Sequence, residues 1–161
     1  MRGEDEKKYE DEESQEYLLH RLLLIEIVKE TLLVYTLNMN KKKILIIDDD
    51  YNVAKKTKEE LLKADFEVIL SYNGKEGIEK LKESKADCVL LDLVLPDESG
   101  FKVAQEIRAI AEFAQTPIIA TSLKHEEIDK HIAAKSGITV YVEKPIDYAR
   151  LLFNIKDVLG K

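Results

Sequence analysis

The stretch ILIIDDD, residues 44–50, decides how the rest of the chain reads. Four apolar residues in a row, bounded by charge, mark a short strand buried on both faces, because alternation is lost when neither face meets water. Three carboxylates at the end of such a strand repel one another, so their presence asks for a positive partner. From Lys41 onward the same grammar repeats: strand KILII, helix from about Val53 to Ala64, strand EVILS, helix from about Lys75 to Ser84. Strand DCVLLD, helix Phe101–Glu112, strand PIIATS, helix Glu126–Lys135, strand ITVYVE and helix Tyr148–Leu159 follow. Five β-α units in residues 41–161 predict an α/β domain, a doubly wound parallel five-stranded sheet between two helical layers. The chain ends just after the fifth helix, so no output domain is expected downstream.

In a doubly wound sheet, sites form beyond the carboxyl ends of the strands, so strand-end residues are the candidates. Strand one ends in Asp48 and Asp49, strand three in Asp92, strand four in Ser122, and strand five in Lys144 followed by Pro145. Topology gathers them at one rim although they are spread over nearly a hundred positions. Converging carboxylates are costly unless a divalent cation sits among them, and an all-oxygen donor set with room for waters suits Mg²⁺. An ammonium group at the same rim offsets further charge.

Composition narrows the classes. A formal charge of −7, from 25 basic and 32 acidic residues, opposes direct nucleic-acid binding and adhesion to anionic lipid. One cysteine, Cys88, lies inside an apolar run and reads as packing; no disulfide framework or cysteine-based metal site is possible. The acidic N-terminus is unlike a secretory signal, and Glu26, Lys29 and Glu30 interrupt the next apolar stretch, so no membrane insertion is expected and a cytoplasmic location is the reading.

ILIIDDD, LLDLVLPDESG, PIIATS and VEKP, in this order and spacing, resemble the receiver domains of two-component response regulators, over about Lys41 to Leu159. The combination is specific where each piece alone is commonplace. The resemblance implies the flavodoxin-like strand order 2-1-3-4-5 and a stand-alone, chemotaxis-regulator-like receiver. Asp92 resembles the phosphoacceptor, Asp49 the direct Mg²⁺ ligand with Asp48 alongside, and the backbone carbonyl of Val94 another ligand. Ser122 resembles the hydroxyl switch, Tyr141 the aromatic switch, and Lys144 the lysine that contacts the phosphoryl group. The implied partners are a histidine kinase or phosphotransfer protein as donor and a downstream protein that reads the fourth helix, fifth strand and fifth helix. The implied activity is that of a signalling receiver promoting its own phosphorylation and dephosphorylation, not of a metabolic enzyme.

The chemistry asks for these residue types by itself. A carboxylate can attack a phosphoryl donor only if the transferring oxygens are neutralised by metal and lysine. Two rival readings use the same residues differently. A phosphatase of the haloacid dehalogenase type needs a DxDxT pattern, which fails at Asn52, and Asp92 is followed by Leu93 and Val94. A flavodoxin-like cofactor binder would want Gly, Ser and Thr where DDDYNV stands. A pseudo-receiver adaptor, acting by contact without phosphorylation, is opposed only by the intact acidic set. Asp50 reads as a helix cap, and a cis Lys144–Pro145 bond is what the resemblance implies. His20, His125 and His131 have no ligand-like spacing.

Two departures bear on kinetics. Leu123 stands where the resemblance leads one to expect a small residue bordering the approach to the aspartate, and Val94 offers no side-chain hydrogen bond to an attacking water; a long-lived aspartyl phosphate with Leu123 as gatekeeper is the expectation, the alternative being that Leu123 turns outward onto the surface of the fourth helix and serves partner binding. Residues 1–40 form a separate extension. Residues 1–16 read as disordered and Tyr17–Leu37 as a helix with a broad apolar face including Leu18, Leu22, Ile25 and Leu32. That helix either covers the receiver or pairs with a second copy as a homodimer; alternatively, Met39 is the working start and residues 1–38 are an upstream reading.

Overall fold

The computed structural model describes residues 2–39, 41–123 and 135–160, with side chains described for 15–36, 41–123 and 135–160. The chain divides into two units, Met1–Lys41 and Lys42–Lys161.

In the second unit, strands β1 (Lys43–Ile47), β2 (Glu67–Ser71), β3 (Cys88–Asp92), β4 (Ile118–Leu123) and β5 (Val140–Lys144) form one sheet in the order β2-β1-β3-β4-β5. Every pairing is parallel. Numbering α1 as the N-terminal helix Arg2–Met39, the helices of this unit are α2 (Tyr51–Lys63), α3 (Gly74–Ser84), α4 (Gly100–Ala109) and α5 (Tyr148–Val158). The helix expected over Glu126–Lys135 falls almost wholly outside the described residues, as do His125 and His131.

The apolar runs work as two-sided strands. Leu45, Ile47, Val89 and Leu91 face a core shared with Ile78 and Leu81 of α3 and Val103 and Ile107 of α4. Ile44, Ile46, Cys88 and Leu90 face the opposite core with Ala54 and Leu61 of α2 and Leu151 and Ile155 of α5. Each helix contributes residues three, four or seven apart, the spacing that keeps one stripe against the sheet. Burying each such Leu or Ile contributes about 1.5–3 kcal/mol, so the central strand pair holds the rim in place. Cys88 is fully buried and its thiol is pushed up to about 12 by burial, which makes it inert packing.

Helix starts follow capping chemistry, which shifts one boundary. The Asp50 carboxylate accepts from the N–H groups of Asn52 (2.9 Å) and Val53 (3.1 Å), so α2 begins at Tyr51, before the first apolar residue of its pattern. Asn73, Ser99 and Asp147 do the same for α3, α4 and α5.

The first unit departs from expectation in two ways. Helix α1 starts at Arg2, so residues 2–16 are helical where disorder was expected; the segment is rich in Glu, which loses little rotamer freedom in a helix, and has no proline. Its apolar residues also lie on every side rather than on one face: Leu22, Leu23, Leu24 and Ile25 are consecutive and all exposed. Among the described residues no helix is long and apolar enough to cross a membrane.

Candidate functional site

The carboxyl ends of β1, β3 and β5 converge on one charged cluster. Asp48 directly follows β1 and is buried; its N–H donates to the carbonyl of Ser71 (3.1 Å), and its Oδ1 accepts from the Asp50 N–H (3.0 Å). Asp92 ends β3, also buried, with Oδ1 accepting from the Val94 N–H at 2.9 Å. One oxygen of each carboxylate is thus held by backbone, and the other faces the rim. Lys144 ends β5, and its Nζ donates to Asp48 Oδ2 at 2.9 Å and to Asp92 Oδ2. Asp49, exposed, completes a group of three carboxylates whose ligand atoms lie within 4.8 Å of one another.

The electrostatics follow from that packing. Burial raises the Asp48 carboxyl above the usual carboxylate range; Lys144 opposes the rise and the neighbouring Asp92 charge adds to it. For Lys144, burial works against the charged form, but the Asp92 and Asp48 carboxylates outweigh it and hold the ammonium above its ordinary value. The lysine therefore stays charged at neutral pH. One positive charge against three formal negative charges leaves two uncompensated. Hard oxygen donors with that deficit, and no His or Cys among them, fit a divalent cation of the Mg²⁺ kind.

The switch candidates lie on β4 and on the edge strand β5. In the β3–β4 register Thr121 stands opposite Asp92, and Ser122, also buried, is one residue further along. Tyr141 pairs with Ala120; its hydroxyl is sealed from solvent. Burial raises that phenol, with Ser136 opposing. The Lys144–Pro145 peptide is cis, as the resemblance implied. Beside Lys144, a cleft of about 290 Å³ is lined by Asn52, Lys56, Pro145, Ile146 and Tyr148 among others.

Leu123 closes β4 with its side chain 61% exposed, the outward direction of the two expected. Val94 is likewise 56% exposed, and it forms an isolated antiparallel bridge with Ser99 that folds the β3–α4 loop back on itself.

Three supporting features were not read from the sequence. Gly100 approaches the end of β3 so closely that a Cβ there would overlap the Asp92 carbonyl oxygen and lie 2.7 Å from Leu93 Cα; its N–H donates to Leu93 O at 2.9 Å. Asp97, on the same loop, accepts from the Gly74 and Lys75 N–H groups at 2.9 and 3.0 Å, tying the loop to the start of α3. The Thr121 hydroxyl is buried beside Asp92 with no hydrogen-bond partner among the described residues. The glycine in PDESG was visible as a turn signal, but nothing local marks it as the point of closest backbone approach.

Comparison with known proteins agrees with the geometry. The family model described as "Response regulator receiver domain" matches residues 44–156. The chain is 36% identical over 119 residues to "Response regulator ArlR" of Staphylococcus saprophyticus, covering 74% of this chain and 53% of that protein. It is 35% identical over 118 residues to "Transcriptional regulatory protein SrrA" of Staphylococcus aureus, covering 73% and 48%. The chain therefore spans about half the length of these curated relatives. Among solved structures, a two-component response regulator from Clostridium difficile superposes with a TM-score of 0.69 at 30% identity, covering 75% of this chain and 98% of that one. A CheY-like receiver domain protein from Methanospirillum hungatei gives 0.70 at 26%, covering 75% and 95%. With the family model spanning most of the chain, the sheet order in place and the acidic rim assembled, this chain belongs to the response regulator receiver domain family.

Proposed function

We propose that Asp92 accepts a phosphoryl group from a histidine kinase or phosphotransfer protein, and that the resulting covalent anion switches a protein-binding surface of a cytoplasmic receiver. The observation that carries this reading is the Lys144 ammonium bridging two buried carboxylates, Asp48 and Asp92, at the ends of three different strands. A charged ammonium between two buried carboxylates supports this reading, because transfer to a carboxylate needs positive charge beside the phosphoryl oxygens.

In the step itself, a carboxylate oxygen of Asp92 attacks phosphorus as the P–N bond of a donor phosphohistidine breaks, the bonding electrons leaving with the imidazole. The Val94 N–H keeps Oδ1 fixed, so the attacking group does not rotate away. Lys144 releases part of its hold on Asp92 and follows the developing negative charge onto the phosphoryl oxygens. Asp49 and Asp48, with Asp92 and the Val94 carbonyl, would hold Mg²⁺, which when bound neutralises the phosphoryl oxygens during attack.

After transfer, the Asp92 side chain carries a phosphoryl group of roughly two negative charges, about one more than the free carboxylate, and new acceptor oxygens. Ser122, buried one residue past the β4 neighbour of Asp92, is the hydroxyl that donates to one of them, and Tyr141, on the adjoining strand, repacks in response. The surface so altered includes β5 and α5; its third expected element, 126–135, lies almost wholly outside the described residues. The partner that reads this surface is a protein, not a nucleic acid.

The test is intact-mass or Phos-tag analysis after acetyl phosphate with Mg²⁺. Parent protein gains one acid-labile phosphoryl group, and Asp92→Asn gains none while keeping its fold. An Asn variant that still gains the group overturns the assignment. A parent that never gains it under any donor leaves the pseudo-receiver adaptor as the correct reading.

A further inference from the structure

We infer that α1 is a self-association element in which one copy of the chain pairs antiparallel with another. Between Tyr17 and Tyr35 thirteen large apolar side chains are exposed, each by 45–65%. They amount to far more than the roughly 300–600 Å² of the largest apolar patch on an ordinary monomer. A helix apolar on every side is stable only when covered. The apolar stretch is about 28 Å long at the helical rise, enough for an extended helix–helix seam.

Charge selects both the occupant and its direction. Residues 2–16 hold eight carboxylates against Arg2, Lys7 and Lys8, whereas residues 31–39, at the other end of the helix, hold none. Parallel pairing would set two acidic ends side by side, well inside a Debye length of about 8 Å. Antiparallel pairing sets each acidic end against the carboxylate-free end of its neighbour and opposes the two helix dipoles favourably. The same acidic end repels anionic lipid, which disfavours a membrane surface as the occupant. Leu18, Leu22, Ile25 and Leu32 form one seam, and crossing at Ile25 brings Leu18 of one copy opposite Leu32 of the other. Because apolar residues continue around the far side, pairs can join further pairs, so the assembly is even-numbered.

The full chain is tested by sedimentation equilibrium and cysteine cross-linking. The parent should run as a dimer or tetramer at micromolar concentration, and Leu18→Glu with Ile25→Glu should be monomeric with an unchanged receiver melting transition. Leu18→Cys and Leu32→Cys proteins, made with different tags and mixed under oxidising conditions, should give the hetero-disulfide. Cys88, buried, does not interfere. A monomeric parent, a trimer, or homo-disulfides of each variant in place of the hetero-product would overturn the proposal. So would flotation of the parent with phosphatidylcholine vesicles in preference to self-association.

Discussion

Gly100→Ala should damage the rim without touching any charged group. The φ of Gly100 is not in the left-handed region, so alanine is conformationally allowed there, and removing a glycine from a helix should by itself stabilise by about 0.5–1 kcal/mol. Sterics decide the sign. The new Cβ would sit 2.7 Å from Leu93 Cα and 3.0 Å from the Asp92 carbonyl carbon, besides overlapping the Asp92 carbonyl oxygen. Carbon atoms prefer about 3.5–4.0 Å, so loop and strand must part by roughly 1 Å. The obstructing atoms are backbone and cannot rotate away. Overpacking of this kind costs about 1–3 kcal/mol, giving a net loss of about 0–2.5 kcal/mol after the helix gain, toward the upper end because backbone atoms are the obstruction. The displaced strand end carries Asp92, and a misplacement of about 1 Å can cost on the order of a hundredfold in a rate that depends on positioning. Urea unfolding measures the first effect, and the rate of acetyl-phosphate labelling followed by intact mass measures the second. An alanine variant equal to the parent in both would refute the claim that this glycine sets the position of Asp92.

Mg²⁺ should stabilise the unphosphorylated protein by about 1–3 kcal/mol at ten to a hundred times its Kd, and Asp49→Ala should erase most of that; a melting temperature indifferent to Mg²⁺ would count against the metal cluster. Asp87, where burial raises the carboxyl but the Lys42 ammonium (2.6 Å) and the Lys43 N–H (2.8 Å) outweigh it, has a lowered pKa, so its contribution is present above the ordinary aspartate value of about 3.9 and is lost as pH falls through the folded-state value. Asp87→Asn should therefore cost about 1 kcal/mol at pH 6, the gap closing only in strong acid, and a gap already closed at pH 5 would be inconsistent with it. Leu123→Ala should leave the lifetime of the aspartyl phosphate unchanged, since the side chain is on the surface, and should weaken binding of the downstream partner instead; faster dephosphorylation would restore the gatekeeper role.

The five strands and their order along the chain were legible because burial on both faces leaves unbroken apolar runs, a signal contained within five residues. KILII and EVILS became β1 and β2 residue for residue. The convergence of Asp48, Asp49, Asp92 and Lys144 also followed from sequence, since a parallel sheet puts all carboxyl ends at one edge. What the tertiary structure alone decided were matters of side-chain direction and of contacts between distant residues. Lys144 reaches Asp48 across 96 positions and Asp92 across 52, and no periodicity encodes which oxygen it bridges. Leu123 is exposed although the preceding residues of β4 are all buried, a change of direction that the run PIIATS does not encode. The closeness of Gly100 to Asp92 depends on how the β3–α4 loop refolds. In α1 both the apolar count and its spread around the circumference follow from sequence at 3.6 residues per turn, whereas the extension of the helix back to Arg2 did not. Local pattern sets which groups arrive at an edge; packing sets which way each one faces.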